Sequence, residues 1–200
     1  MKSLTEAKYI GGVGSILLLL TVVPEAGLFL FIAGIILVAI AAKRIADSVG
    51  DSSIFNNMLL GIILSIVGGA AGVAVGFALG LSSFFRIFST PLLTGDFQFD
   101  FTDPELFQLL TELAVAVLAA IVVIWVFAIA SSIFIRRSYA SISKGLNAGL
   151  FSTVGLLYLI GAATSIILIG FVILFIAVII QIIAFFTMPE ELPQLAPQQT

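Results

Sequence analysis

The sequence predicts an all-α fold: a polytopic transmembrane helix bundle of about six spans, with helical hairpins at both ends of the chain. Three observations carry that reading. Hydrophobic residues make up 61% of the chain and charged residues only 10%, against roughly 45–50% and about 25% in an ordinary soluble domain. A chain this small could not clothe so much apolar surface in water, so lipid is the expected solvent. Long stretches lack charge, and the few basic residues gather on one side of the spans those stretches define.

A span needs about 20 mostly apolar residues to cross roughly 30 Å of hydrocarbon. Between Lys8 and Lys43 the only charge is Glu25, and none interrupts Ile54 to Phe85, Leu113 to Ile135 or Gly145 to Pro189. The last stretch would extend about 68 Å as one helix, so it must fold back on itself. Its expected turn lies near Gly161-Ala-Ala-Thr-Ser165, where small and hydroxyl residues interrupt large aliphatic ones. The first stretch turns at Pro24, Glu25 and Gly27, since proline cannot continue a helix without losing a backbone hydrogen bond.

The expected spans are 4–23, 26–46, 54–81, 108–135, 146–164 and 166–187, in one transmembrane domain over 1–187. Ser3-Leu-Thr-Glu6 has capping-box spacing and starts the first span. Lys2 and Lys8 precede an apolar run, as in a signal peptide, but no A-x-A-like site follows, so a retained span is expected. A re-entrant hairpin at one end is the rival reading. The segment 188–200, with Pro189, Pro193 and Pro197, reads as a Pro-rich cytoplasmic tail.

Lys2, Lys8, Lys43, Arg44, Arg136, Arg137 and Lys144 fall on one side of this arrangement, and only Arg86 falls on the other. The first side holds seven basic and five acidic residues; the second holds one basic and six acidic. The positive-inside rule makes the basic side cytoplasmic, with Lys43, Arg44, Arg136, Arg137 and Lys144 as topology anchors. Both termini are then cytoplasmic, in a multi-pass cell-membrane protein.

The external segment, 82–107, is the one sizeable portion expected outside the spans. Ser82-Ser-Phe-Phe-Arg-Ile-Phe88 has the composition of an interfacial stretch, and Phe97-Gln-Phe-Asp-Phe101 alternates aromatic and polar residues. Thr102-Asp103-Pro104-Glu105 reads as a helix start, with a cap residue followed by proline and an acid. An aromatic plug on the helix mouths explains the segment. A partner-docking surface is the second reading.

Gly68, Gly72, Gly76 and Gly80 form a small-xxx-small run, a glycine zipper, on the third span. Residues four apart share a helix stripe, and glycine there lets another backbone approach closely, which is how helices gain dispersion energy in lipid. Ala70, Ala74 and Ala78 make a second small stripe. Packing within the bundle, a homo-oligomer seam and a pore-lining helix are the alternatives. Ser65, Ser131, Ser132, Ser152, Thr153, Thr164 and Ser165 can each bond back to their own helix. Gln181 is the amide well inside the sixth span, where a partnerless amide is costly, so a bond to a neighbouring helix is expected.

The inventory for chemistry is thin. Cysteine and histidine are absent, which removes disulfides, thiolate nucleophiles, thiolate metal sites and the commonest general base. No P-loop, Rossmann glycine pattern, nucleophile elbow or metal motif is present. Glu25 sits at a turn and Glu112 near a helix start, so no ionisable residue marks a proton or ion path through the spans.

Gly14-Ser-Ile-Leu-Leu-Leu-Leu20, followed by Pro24-Glu-Ala-Gly27 and Ile32-Ala-Gly34, resembles a family of uncharacterised archaeal integral membrane proteins, domain of unknown function 996. So do Ile54-Phe55-Asn56-Asn57 and the stretch from Leu157-Tyr-Leu-Ile-Gly161 to Ala184-Phe-Phe186. The similarity covers most of the chain except the external segment and the tail. It implies an archaeal cell membrane and supplies no activity and no functional residues.

The expected function is therefore non-enzymatic: a structural or accessory subunit of a larger membrane assembly. Its expected partners are membrane lipids and either other membrane subunits or further copies of itself, with no nucleic acid, no cofactor and no metal. The alternative is a small transporter or channel for a neutral or lipid-like solute. A third reading, a lipid-acting enzyme, has Asp96, Asp100, Asp103 and Glu105 as its only candidates, and a solvated acidic loop is the simpler account of those residues.

Overall fold

The computed structural model describes residues 4–95 and 102–192. Over them the chain forms six α-helices and no strand: α1 (Thr5–Leu19), α2 (Gly27–Val49), α3 (Ser53–Thr94), α4 (Pro104–Leu146), α5 (Gly149–Thr164) and α6 (Ile169–Thr187). Single 3₁₀ turns, Leu20–Val22 and Ser165–Ile167, extend α1 and α5. All six helical segments are long and apolar enough to cross a membrane. The chain divides into two compact units, one of 1–64 with 129–200 and one of 65–128.

The first unit contains both hairpins. In the α1–α2 turn Glu25 takes φ +67°, and Gly27 donates its N–H to the Val23 carbonyl at 2.9 Å. A Cβ on Gly27 would strike the Thr21 carbonyl oxygen, so a side chain is excluded at that point of the turn. The α5–α6 turn falls at Ser165–Leu168, with Leu168 at φ +63°. Gly161 lies inside α5 rather than in the turn. A Cβ on it would lie 3.2 Å from the Gly170 carbonyl oxygen, so the small residues bring the two arms of the hairpin together. Gly50, at φ +78°, ends α2 in a left-handed cap and donates to the Ala46 carbonyl at 2.9 Å.

The core of this unit lies where the two chain ends meet. Leu4 donates its N–H to the Glu190 carbonyl at 2.9 Å, and Lys8 pairs with the Glu190 carboxylate at 2.9 Å. Around them Ile45, Ile54, Ile142, Leu146, Phe151 and Phe185 are fully buried. Tyr139 stacks between Phe151 and Tyr158 at ring-centroid distances of 6.0 and 6.2 Å. The start of α1 carries no side-chain cap, and Ser3, expected to supply one, lies outside the described residues.

The second unit is a helix pair. Gly68, Gly72 and Gly80 are buried on one face of α3, and that face continues through buried Ser83 and Ile87 toward Leu109 and Ala116 of α4. The helix thus continues past 81, where the third span is expected to end, and through the stretch expected to lie at the interface. Neither glycine nor proline interrupts Leu81 to Thr90, Ser83 and Ile87 keep the packed face going, and the helix runs to Thr94. Gly95, at φ +74°, follows it.

Helix α4 likewise begins before 108, where the fourth span is expected to start. Pro104 opens α4, and the Asp103 carboxylate accepts the Glu105 N–H at 2.9 Å. The Phe97–Phe101 alternation and the tail from Pro193 lie outside the described residues.

Candidate functional site: a closed polar chain and a glycine-faced helix pair

Three helices of the first unit each contribute one polar side chain to a chain of hydrogen bonds. The Tyr158 hydroxyl of α5 donates to Gln181 Oε1 of α6 at 2.6 Å. Gln181 Nε2 donates to Ser15 Oγ of α1 at 2.7 Å. Ser15 then donates to the Gly11 carbonyl at 2.7 Å. Gln181 and Ser15 are buried at 1% and 0% exposure, so each bond offsets a desolvation that would otherwise be costly. Every donor points the same way along the chain, and the last acceptor is a backbone carbonyl, which has a second lone pair to give.

Sequence reasoning found Gln181 and missed Ser15 and Tyr158. The signal for them was the amide itself, which needs both a donor and an acceptor from neighbouring helices, and hydroxyls are the polar groups those spans offer. Serines do similar work between α3 and α4: Ser131 donates to the Gly61 carbonyl and Ser138 to the Ile54 carbonyl, both at 2.7 Å. Ser131 thus reaches across to another helix, whereas Ser132, Thr164 and Ser165 bond back within their own local segments. Among the described residues every buried side-chain nitrogen and oxygen has a partner.

In the second unit the four glycines meet α4 one after another. A Cβ on Gly68 would collide with Phe127, and one on Gly72 would lie 2.8 Å from Ile124 Cδ1 and 3.0 Å from the Ala120 carbonyl oxygen. A Cβ on Gly76 would meet Ala120 Cβ at 3.3 Å, and one on Gly80 would meet Ala116 Cβ at 3.1 Å. Gly69, one residue off this face, has nothing within 4 Å of its Cβ position. The second small stripe, Ala70, Ala74 and Ala78, is exposed.

At the far end of this unit Ser83 donates to Glu112 at 2.7 Å, and Arg86 pairs with Glu105. Asp103 caps α4. Asp103 and Glu105 are therefore engaged in helix capping and ion pairing, while Asp96 and Asp100 lie outside the described residues.

The basic residues fall into two groups. Lys43 pairs with Asp47 at 2.6 Å, Arg44 with Glu6 and Lys8 with Glu190. Arg136, Arg137 and Lys144 of α4 are exposed and have no ion-pair partner among the described residues. An open groove of about 460 Å³ borders the α4–α5 turn, between Leu146, Asn147, Ala184, Thr187 and Glu191.

Residues 30–179 match the family described as protein of unknown function DUF996. The chain belongs to this family. It is 31% identical over 189 residues to the uncharacterized protein MJ1644 of the archaeon Methanocaldococcus jannaschii, covering 94% of this chain and 95% of that one. No solved structure matches it. Family membership brings an archaeal relative, and it brings no reaction.

Proposed function

We propose that this DUF996 chain is a non-enzymatic, multi-pass protein of the archaeal cell membrane that serves as a structural or accessory subunit of a larger assembly. The observation that carries the reading is the uncovered face of α3. The glycine stripe is occupied by α4, while Ala70, Ala74 and Ala78 stay exposed and Gly69 opens on empty space. Small residues let a second helix approach closely in lipid, where no hydrophobic drive brings helices together. Phe77, Leu118 and Val115 are also more than half exposed in this unit, so apolar side chains accompany the small residues on the surface offered to lipid or a partner helix.

Both termini are assigned to the cytoplasm by the surplus of Lys and Arg on their side. The bond between Leu4 and Glu190 supports placing them together. The transport alternative draws on the interrupted helical hairpins, since broken helices can line solute sites. The satisfied interior weighs against it, because the described buried polar side chains already have hydrogen-bond partners.

The test is purification from native membranes in mild detergent, with mass spectrometry of whatever co-migrates. Stoichiometric foreign subunits are the expected result. A monomer, or a homo-oligomer alone, overturns the subunit reading and makes solute flux in reconstituted liposomes the next measurement.

A further inference from the structure

We propose that Arg136, Arg137 and Lys144 form a binding site for the phosphate group of an anionic lipid, placed where α4 reaches the membrane surface. In the sequence the pairs Lys43-Arg44 and Arg136-Arg137 look equivalent, but their surroundings are not. The first pair is neutralised by Asp47 and Glu6, and Lys43 also lies 5.6 Å from the Phe55 ring centre. The second pair and Lys144 have no carboxylate within ion-pair reach among the described residues. The acids at that end of the unit are engaged elsewhere: Glu190 by Lys8, and Asp51 by the Ser53 N–H at 2.9 Å. Glu191 is exposed and borders the groove.

The helical positions put Arg137 and Lys144 on one line, with Arg136 beside them on the flank. Arg137 and Lys144 are two turns apart, within about 20° around the helix and roughly 10 Å along it. Ser138, Ile142 and Leu146, on the other side of α4, are buried. Arg137 and Lys144 therefore project away from the packed core, and Arg136 stands on the flank where Gly155 of α5 approaches its backbone.

One turn before Arg137, Ile133 is 38% exposed on nearly the same line, and the Arg137 guanidinium lies 5.5 Å from the Phe134 ring centre. Apolar side chains followed by unpaired cations along one line match an acyl chain followed by its phosphate. A planar guanidinium also suits phosphate oxygens, to which it can donate two parallel bonds.

The site rests on the membrane reading of the six helices and not on the subunit reading. The test uses the full chain in mild detergent, titrated with phosphatidylglycerol or phosphatidylcholine and read by native mass spectrometry. Wild type and the control K43Q/R44Q are expected to prefer phosphatidylglycerol by about tenfold or more, given roughly 1 kcal/mol for each basic residue near an anionic surface. R136Q/R137Q/K144Q is expected to lose that preference, and the charge-keeping R136K/R137K to retain most of it.

Equal preference in wild type and the triple variant overturns the site, as does equal loss in the control. Displacement of the lipid by stoichiometric inorganic phosphate makes it a free-anion site instead. An acidic polypeptide lost from the triple variant while lipid counts stay unchanged makes it a protein contact. Release of the wild-type chain from membranes by alkaline carbonate is a separate outcome, which overturns the membrane reading itself.

Discussion

Gln181 donates its side-chain amide to the hydroxyl of Ser15 at 2.7 Å, joining the last helix of the chain to the first across 166 residues of sequence. The bond also fixes what the partners can do. Ser15, accepting from Gln181, turns its own proton to the Gly11 carbonyl, and Gln181 keeps its carbonyl for Tyr158. Replacing Gln181 by leucine is expected to destabilise the protein by about 1–3 kcal/mol, because the Tyr158 hydroxyl loses its buried acceptor. A double-mutant cycle of Gln181→Leu with Ser15→Ala, read by thermal unfolding in detergent, should give a coupling of about 0.5–2 kcal/mol. Strict additivity would mean that the two side chains do not interact.

The glycine face of α3 predicts a graded series. Alanine at Gly68 or Gly72 must displace Phe127 or Ile124, and overpacking of that kind costs about 1–3 kcal/mol. Alanine at Gly76 or Gly80 meets neighbours at 3.1–3.3 Å and should cost less. Alanine at Gly69 meets nothing within 4 Å and should be neutral, or stabilising by up to about 1 kcal/mol through helix propensity. Five single variants compared by melting temperature check the order, and a Gly69→Ala loss as large as that of Gly72→Ala would refute it.

Ser131 and Ser138 each give a proton to a carbonyl of α3 from a buried position. Alanine at either is expected to cost about 1 kcal/mol. Ser48 bonds back to the Arg44 carbonyl of its own helix from an exposed position, so Ser48→Ala should change stability by less than about 0.5 kcal/mol. Denaturation of the three variants side by side separates interhelical bonds from local ones.

The chain has no cysteine, so single cysteines report on topology without background. Gly149→Cys places a thiol where a Cβ meets nothing within 4 Å, at the start of α5. Thr102→Cys places one at an exposed residue just before α4. An impermeant maleimide added to intact cells should label Thr102→Cys at once, and Gly149→Cys only after the membrane is opened. The reverse pattern would invert the assigned orientation.

Much of the fold could be read from the chain because long apolar runs with few charges obey simple rules. Unbroken apolar length demanded helices, Pro24 and Glu25 marked the first turn, and the long run from Gly145 had to reverse. The length of α3 was not legible. Past 81 the helix keeps a buried face at Ser83 and Ile87, with Ser83 bonded to Glu112 of α4, and a list of residues does not display that burial. Of the polar chain, Gln181 announced itself by its cost in an apolar span, whereas Ser15 resembles any hydroxyl able to bond its own helix. The basic residues were legible as a group. Their division into neutralised and free depended on Glu6 and Glu190, which approach Arg44 and Lys8 only in the folded chain.

The clasp between Leu4 and Glu190 has a consequence for how the molecule is made. Ribosomes deliver the first helix long before the sixth exists, so α1 must wait without the neighbour that covers it in the folded chain. Ser15 suits that wait, since its proton already rests on the Gly11 carbonyl and no hydroxyl hydrogen is left bare while Gln181 is still to come. When α6 follows, its Gln181 meets a hydroxyl oxygen with a lone pair to spare, and a contact between helices far apart in the sequence closes on a group that was never left unsatisfied.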